Sequence, residues 1–346
     1  MKLPKSKSNL NPHDLIDKKV LKELKFFFHQ INNQVLFKMG IKVDYNDHGV
    51  PALNLSTEYF PLFITYDDRT RYIAENIVLS NIDIENIVCN TITSHFYGAR
   101  GIHQIATRER DPKKALIDFK RLLIDADYKE FINKNLDDAR NHGQYIYGRT
   151  ELRTSLFDAA NSYVSIREGK KRNLDPVNMM MWIASFIESG LIDKIINSKC
   201  LSDLYNNVTS TPGIGQYYGY HCAISNSINP KVNVNHDEAF CVPGPGAKKV
   251  LNLLFPTISP REFNYGNRVV WLRDHQEELF GSFDVPKSKH NIIVNGTKIF
   301  KDEQVNLKVY GLEVGLCQFG VYQRLKANPK LVSNRKVARL DDSKLF

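Results

Sequence analysis

The sequence predicts a mostly helical protein with one small β-hairpin. Apolar residues recur at spacings of three and four, the period of a helix with a buried face. The clearest set is Ile84, Ile87, Val88, Ile92 and Phe96. Strand signals are sparse, and the best is IIVNGTKIF at 292–300, where Asn295-Gly296 is a dipeptide that two-residue hairpin turns favour.

The other helices follow from the same periodicity and from capping residues. The segment from Asp14 to about Lys38 places lysines between its apolar residues, which predicts a basic amphipathic helix. Asp111-Pro112 has the residue types of a helix start and predicts a helix through Leu123. Further helices are predicted at 127–140, 151–166, 174–196, 201–208, 216–227 and around 309–319.

The chain is long enough for one large domain or two ordinary ones. Residues 1–12 are rich in Lys, Ser, Asn and Pro and predict a flexible arm. Residues 13–346 are expected to form a single helical domain. An alternative is two lobes, about 13–200 and 201–346, on either side of an active-site cleft.

Composition limits the classes of function. The hydrophobic content of 42% and charged content of 25% are those of a soluble globular protein. No window reaches the length of a membrane span, and the first residues lack the apolar core of a signal peptide, so we expect a cytoplasmic protein without a membrane partner. The net charge of +9 favours a polyanionic partner, although solubility alone explains such a charge equally well.

The cysteines do not predict a metal site. The five are odd in number and scattered, without a Cys-x-x-Cys pair, so we expect reduced, mostly buried thiols and no metal.

The stretch TPGIGQYYGYHC at 211–222 interrupts two predicted helices with a tight turn. Gly213 and Gly215 allow positive φ and leave backbone N–H groups uncovered at the start of the second helix, while Ile214 is expected to pack inward. A helix-hairpin-helix element of this kind holds a DNA phosphate without reading sequence, and a monovalent cation commonly assists. The same turn also occurs as a plain helix connection.

A second glycine-rich stretch, NVNHDEAFCVPGPGAKK, occupies 233–249. Together with PGIG at 212–215 and LEVGLCQF at 312–319, its residues Asp237-Glu238 and VPGPGAKK at 242–249 resemble the alpha-glutamyl/putrescinyl thymine pyrophosphorylase family. That family comprises the amino acid:DNA transferases of phage thymine hypermodification. These proteins are related to helix-hairpin-helix DNA glycosylases, and their helical domain also resembles one attached to 5-hydroxymethyluracil DNA kinases.

The resemblance implies a fold and a reaction. The fold is a DNA-glycosylase-like helical fold, and the reaction replaces pyrophosphate on 5-pyrophosphoryloxymethyluracil in DNA with an amine or amino acid. A DNA-base kinase would act upstream, and a viral protein would work in the host cytoplasm. Beyond the hairpin cation, no cofactor is expected.

Departures from the glycosylases limit the chemistry. Tyr217 stands where bifunctional glycosylases have a Schiff-base lysine, so strand cleavage through an imine is not expected. The four-cysteine iron-sulfur loop is missing. No Gly-x-x-x-x-Gly-Lys-Ser/Thr motif occurs, so these residues do not include a P-loop kinase.

The transfer needs a base, ligands for pyrophosphate and a pocket for an extruded nucleotide. Asp237 or Glu238 is the candidate base, although Asp237 is equally the type of residue that caps a helix. The other candidates fall into three groups. DNA phosphate is assigned to Gly213, Ile214 and Gly215; pyrophosphate to Gly244, Gly246, Lys248 and Lys249; and the base pocket to Tyr217, Tyr218 and Phe240.

Two other functions remain open at the sequence level. One is a monofunctional DNA glycosylase that excises a modified pyrimidine, with Asp237 stabilising the developing sugar cation. The other is a noncatalytic, DNA-binding helical module that serves a kinase.

Overall fold

The computed structural model describes residues 12–38, 62–64, 67–97, 101–143, 154–168, 176–235, 239–283, 292–294, 297–300 and 306–328. These residues are mostly helical, as the sequence predicts. The first seven helices are α1 (Pro12–Leu15), α2 (Lys18–Lys38), α3 (Asp68–Tyr72, continued by a π-helix over Ile73–Val78), α4 (Ile84–Phe96), α5 (Ile102–Thr107), α6 (Phe119–Ile124) and α7 (Ala126–Asn141).

The helices that follow are α8 (Thr154–Glu168), α9 (Pro176–Glu188), α10 (Leu191–Ile196), α11 (Leu201–Thr209), α12 (Gln216–Ser227), α13 (Pro245–Leu254), α14 (Tyr265–Asp274), α15 (Gln276–Phe280) and α16 (Val309–Ala327). Strands β1 (Ile292–Val294) and β2 (Thr297–Phe300) pair in a two-stranded sheet, which confirms the predicted hairpin. Its Asn295-Gly296 turn lies outside the described residues.

The chain divides into two compact units that alternate along the sequence. Helices α1, α2 and α13 to α16 belong to the first unit, and the π-helix and α4 to α12 belong to the second. Residue 200, the boundary between the two lobes considered above, lies inside the second unit.

Helix α4 is the centre of the second unit and packs against α6, α9, α12 and the π-helix. All residues from Asn86 to Phe96 are buried, so the prediction of a single buried face is too narrow. Buried polar residues of α4 are satisfied by neighbouring backbone: Asn90 accepts from the N–H of Ile117 at 3.0 Å and donates to its carbonyl at 2.9 Å. Asn86 accepts from the N–H of Phe119 at 2.7 Å.

These contacts explain why the helix predicted from Asp111 is wrong. Asp111 caps only a turn, because its side chain accepts from the N–H of Lys113 and residues 115–118 are not helical. Asn90 and Asn86 hold that segment against α4, and α6 begins only at Phe119 with Asp118 as its N-cap. A second prediction, one helix over 174–196, is wrong because Gly190 adopts a φ of 69° and separates α9 from α10.

The first unit packs α13 against α16, with α2 and α14 alongside. The predicted amphipathic helix is confirmed as α2: its lysines at 18, 19, 22 and 25 are exposed, and Phe27 is buried against Phe319 and Tyr322 of α16 with ring centroids 5.5 and 5.0 Å away. Arg268 of α14 is fully buried and donates to the carbonyls of Phe263, Leu251 and Ile258. Among the described helices, none has both the length and the apolar character that crossing a bilayer requires.

Candidate functional site

The hairpin between α11 and α12 has the geometry that its glycines predict. Gly213 adopts a φ of 91°, which side chains disfavour, and the N–H of Ile214 donates to the carbonyl of Thr211 at 3.1 Å. Ile214 is 6% exposed, so its side chain anchors the turn in the second unit as predicted.

The amino end of α12 is open to solvent. Gly215 is its N-cap and offers no side chain to accept from the first-turn N–H groups, and both Gly215 and Gln216 are exposed. A Cβ added at Gly215 would meet no atom within 4 Å. The first N–H groups of a helix have no acceptor within the helix and carry partial positive charge, so this end can accept a phosphate.

The two tyrosines after the hairpin differ in exposure. Tyr218 is 3% exposed and meets Phe96 of α4 edge-on, with centroids 6.1 Å apart. Tyr217 is half-buried, and its ring lies 5.7 Å from that of Tyr218. Tyr217 therefore presents more surface to a ligand than Tyr218.

The ring of Tyr217 lies beside a group of polar side chains, which we call the histidine cluster: the buried His95, His221 and Ser225 and the partly exposed Arg69. The Tyr217 ring is 4.2 Å from that of His221, which is 6.3 Å from that of His95. The guanidinium of Arg69 approaches Nδ1 of His95 at 3.4 Å, and Nε2 of His95 makes a short hydrogen bond with Ser225 Oγ. Because arginine can only donate, Nδ1 of His95 accepts and Nε2 carries the proton.

Both imidazoles of the cluster are neutral. Burial and then the charge of Arg69 lower the pKa of His221 from 6.5 to about 3. Burial, Arg69 and His221 together hold the pKa of His95 well below its ordinary value. Because Arg69 is partly exposed and contributes to both shifts, an anion bound to its guanidinium would raise the affinity of both imidazoles for protons.

The sequence does not predict that these residues form a cluster. Arg69 and His95 lie far before the hairpin in the chain and form no motif with it, and they meet α12 only because α4 is central to the fold. A signal that could have identified His95 is its position within the apolar run of α4, where a polar ring must find a partner.

In the first unit, the VPGPGA and LEVGLCQF motifs pack against each other. The N–H of Gly244, the N-cap of α13, donates to Glu313 Oε1 at 2.8 Å, and Glu313 is 1% exposed on α16. A Cβ at Gly246 would lie 2.7 Å from Cys317 Sγ, so only glycine permits this approach. The N–H of Ala247 also bonds the Cys317 thiol. The amide of Gly244, which the sequence assigns to pyrophosphate, thus donates to α16 instead.

Glu313 differs from an exposed carboxyl group in its pKa and in its hydrogen bonding. Burial raises its pKa from 4.5 to about 7, against the opposing effect of the hydrogen bond from Gly244. Its Oε2 atom is buried and has no hydrogen-bond partner within the described part of the chain.

The remaining candidates are distributed over both units. Lys248 is half-buried with Nζ 5.8 Å from the centroid of the Tyr265 ring, and Lys249 is exposed. Phe240 is half-buried in the first unit, whereas Tyr217 and Tyr218 belong to the second. Asp237 and Glu238 lie outside the described residues, so their catalytic role stays a prediction.

The described residues contain no group of three or more His, Cys, Asp or Glu side chains that could hold a metal ion. All five cysteines are free thiols; Cys89, Cys222 and Cys241 are buried, and Cys200 and Cys317 are partly buried.

The open amide end of α12 and the neighbouring polar side chains make the second unit a helical domain with a site suited to a phosphate group. The comparison with known families is more specific: residues 120–331 match the family described as 5-hmdU DNA kinase, helical domain, where 5-hmdU is 5-hydroxymethyldeoxyuridine. The match covers more than half of the chain, which therefore belongs to this family, one connected with phage thymine hypermodification. No curated protein and no solved structure matches the chain.

Proposed function

We propose that this protein modifies thymine-like bases in DNA by replacing the pyrophosphate of 5-pyrophosphoryloxymethyluracil with an amine. The observation that supports this most is the family match, which includes the hairpin, the VPGPGA motif and Glu313. The 346 residues have no P-loop motif of their own, so a step that uses the product of a kinase fits them better than phosphorylation.

In this proposal the hairpin binds one DNA phosphate at the amino end of α12. Gly213 and Gly215 keep that end free of side-chain oxygens, and the fixed turn holds the amides in place before DNA arrives. Tyr217, one turn away from His221, stacks on the extruded base or fills its place in the duplex.

The reaction exchanges one bond at the exocyclic carbon of the base. The C–O bond to pyrophosphate breaks and its electron pair leaves with the pyrophosphate oxygen. The carbon, now electron-poor, forms a C–N bond with the lone pair of the amine. The amine arrives as an ammonium ion, so one proton goes to a base before attack and a second is lost from the new C–N nitrogen to water.

Asp237 is the proposed base for the ammonium proton, with Glu238 as its neighbour. Pyrophosphate is assigned to the ammonium groups of Lys248 and Lys249, which are partly exposed and exposed respectively, because the amide of Gly244 already donates to Glu313. Arg69 is a further cation that could bind a phosphate group. An anion bound there would raise the pKa of His95 and His221, so that both imidazoles could take up a proton more readily.

The test is incubation with DNA containing 5-pyrophosphoryloxymethyluracil and a mixture of amines, followed by digestion to nucleosides and mass spectrometry. We expect a nucleoside that carries an amine, and a loss of about a hundredfold or more in its rate of formation for Asp237→Asn. The control is Asp127→Asn, an exposed carboxyl on α7. Release of free base instead would indicate a glycosylase and overturn the proposal.

A DNA-binding module without catalysis is the second candidate, because the matched family is described as the helical domain of a kinase. In that case the protein binds DNA, leaves the modified nucleoside unchanged, and stimulates a separate DNA-base kinase. The same digest distinguishes this outcome, since every nucleoside would be recovered intact while DNA binding persists.

A further inference from the structure

The second unit has a cleft of about 720 Å³ next to the hairpin, which neither the family match nor the motifs assign. It is lined by α8, α9, α10 and the first half of the hairpin turn. Pro212 and Gly213 contribute to both the cleft and the turn, so a ligand here would lie beside the proposed phosphate site. The volume suits a small molecule.

One part of the lining is aromatic. Trp182 and Phe186 of α9 meet edge-to-face with centroids 5.0 Å apart, and Trp182 stacks on Phe96 at 5.9 Å. Trp182 is 5% exposed and Phe186 is 2% exposed, so packing fixes both side chains and only a small part of each ring borders the cleft. Rigid aromatic rings attract organic cations and aliphatic chains at low entropic cost.

Three serine hydroxyl groups in the lining donate their hydrogens to backbone carbonyls. Ser185 donates to the carbonyl of Trp182 at 2.6 Å, Ser189 to that of Phe186 at 3.2 Å and Ser210 to that of Asn207 at 2.7 Å. A hydroxyl whose hydrogen is already donated still has lone pairs that accept. These three serines therefore offer acceptors, which suit a ligand rich in N–H donors.

Two charged side chains complete the lining: Asp158 of α8 and Lys194 of α10. The neighbouring Arg167 is paired with Glu188 at 2.7 Å and also donates to the hydroxyl of Tyr163, so its charge is balanced locally. A ligand with an ammonium group has a carboxylate partner in Asp158, and one that also has a carboxylate has a cation in Lys194.

We propose that this cleft binds the amine co-substrate through a primary ammonium group on a short aliphatic chain. This inference rests on the proposed function, which identifies the ligand as the amine co-substrate. It adds to that function a binding site for the nucleophile. The ammonium contacts Asp158 and the serine oxygens, and the aliphatic chain lies against Trp182 and Phe186. An amino acid and a diamine share this chemistry, and they differ in whether Lys194 takes part.

The experiment is calorimetric titration of the full chain with putrescine, with glutamate and with butanol, which has the chain but no ammonium. We expect putrescine to bind and butanol not to bind. Asp158→Asn should weaken putrescine binding about tenfold or more, because it removes a charge-assisted hydrogen bond. Asp127→Asn on α7 is the matched control and should change affinity by less than about twofold. If glutamate also binds, Lys194→Gln should weaken glutamate alone.

Two results would overturn the assignment: no binding of either amine to the wild-type chain at millimolar concentration, or equal binding to Asp158→Asn. The outcome is separable from the proposed function. If Asp158→Asn transfers amine to DNA at the wild-type rate when amine is limiting, the cleft is not the amine site, and the proposed transferase activity still stands. If amine binding depends on Asp158 but the wild-type chain transfers no amine to DNA, the cleft is an amine site and the proposed transferase activity is wrong.

Discussion

The buried carboxyl group of Glu313 on α16, which accepts from the N-cap amide of α13, makes stability depend on pH. Glu313 has a folded pKa of about 7 and an ordinary value of 4.5, so the folded protein takes up its proton first as pH falls. Its contribution to stability is complete below pH 4.5 and is lost as pH rises through 7. The hydrogen bond from Gly244 compensates only part of the desolvation of the charged form.

We therefore expect Glu313→Gln to be more stable than the wild type at pH 8, by about 2 kcal/mol. The glutamine oxygen can still accept from Gly244, and the side chain has no charge to desolvate. Urea unfolding at pH 5 and pH 8 measures this difference. A variant that is equally less stable at both pH values would contradict a buried ionised Glu313.

The buried, neutral His221 should have the opposite effect: the protein is expected to lose stability as pH falls. His221 has a folded pKa of about 3, below its ordinary 6.5, so the stability it contributes is present above pH 6.5 and is lost as pH falls towards 3. Its share of the loss between pH 7.5 and pH 5 is about 2 kcal/mol. We expect His221→Gln to show a correspondingly smaller dependence on pH in urea unfolding.

His142→Gln serves as the control for that measurement, because His142 is exposed at the end of α7. It measures the effect of replacing an exposed imidazole that bonds the carbonyl of Asp138 within its own helix end. The assignment of His221 to a desolvated site next to Arg69 fails if the dependence of the His221 variant on pH matches that of the wild type.

Residues of the hairpin could be predicted from the sequence because their conformation is decided locally. A Pro-Gly-x-Gly turn specifies the positive φ of Gly213, and an isolated Ile between two glycines has to pack inward. Arg69 and His95 could not be predicted as part of the site, since only the tertiary fold brings them to α12. Glu313 falls between these cases: its motif stood out, but its partner Gly244 is distant in sequence.

At the scale of elements, the close contact of α11 and α12 depends on a residue without a side chain. A Cβ at Gly219 would lie 2.2 Å from Cγ2 of Thr209. Thr209 cannot rotate freely, because its hydroxyl donates to the carbonyl of Tyr205 at 2.8 Å. Gly219 thus sets the distance between the two helices that present the hairpin.

We expect Gly219→Ala to destabilise the protein by about 1–2 kcal/mol, since overpacking outweighs the better helix propensity of alanine. It should also weaken DNA binding by tilting the hairpin. Gly215→Ser is the control for stability, because its position is open and extended, and the change should be within about 0.5 kcal/mol. Thermal unfolding of the two variants compares them, and equal stability would refute the packing argument.

The helices show where local signals compete with tertiary contacts. The predicted bounds of α7, α11 and α12 agree with the structure to within one residue, and α16 begins at the predicted Val309. The start predicted at Asp111 is wrong because side chains of α4 bind the backbone N–H groups of Ile117 and Phe119, and residues 115–118 are not helical. No sequence rule contains that information, because Asn86 and Asn90 are remote from the segment they hold.

For the whole molecule, the net charge of +9 predicts binding to DNA that depends strongly on salt. We expect affinity for a short duplex to fall about tenfold or more between 50 and 200 mM salt, as condensed counterions are released on binding. Fluorescence anisotropy measures this directly. A peptide nucleic acid of the same sequence has no phosphates and is the control; equal affinity for both would contradict a phosphate-binding hairpin.

In the reaction we propose, pyrophosphate leaves the base and an amine takes its place. The most direct measurement quantifies both products in one reaction, using DNA with 5-pyrophosphoryloxymethyluracil and a nitrogen-15-labelled amine. We expect equal amounts of released pyrophosphate and labelled nucleoside at every time point. Pyrophosphate release with no label in the nucleoside, or free base and an abasic site in its place, would contradict it.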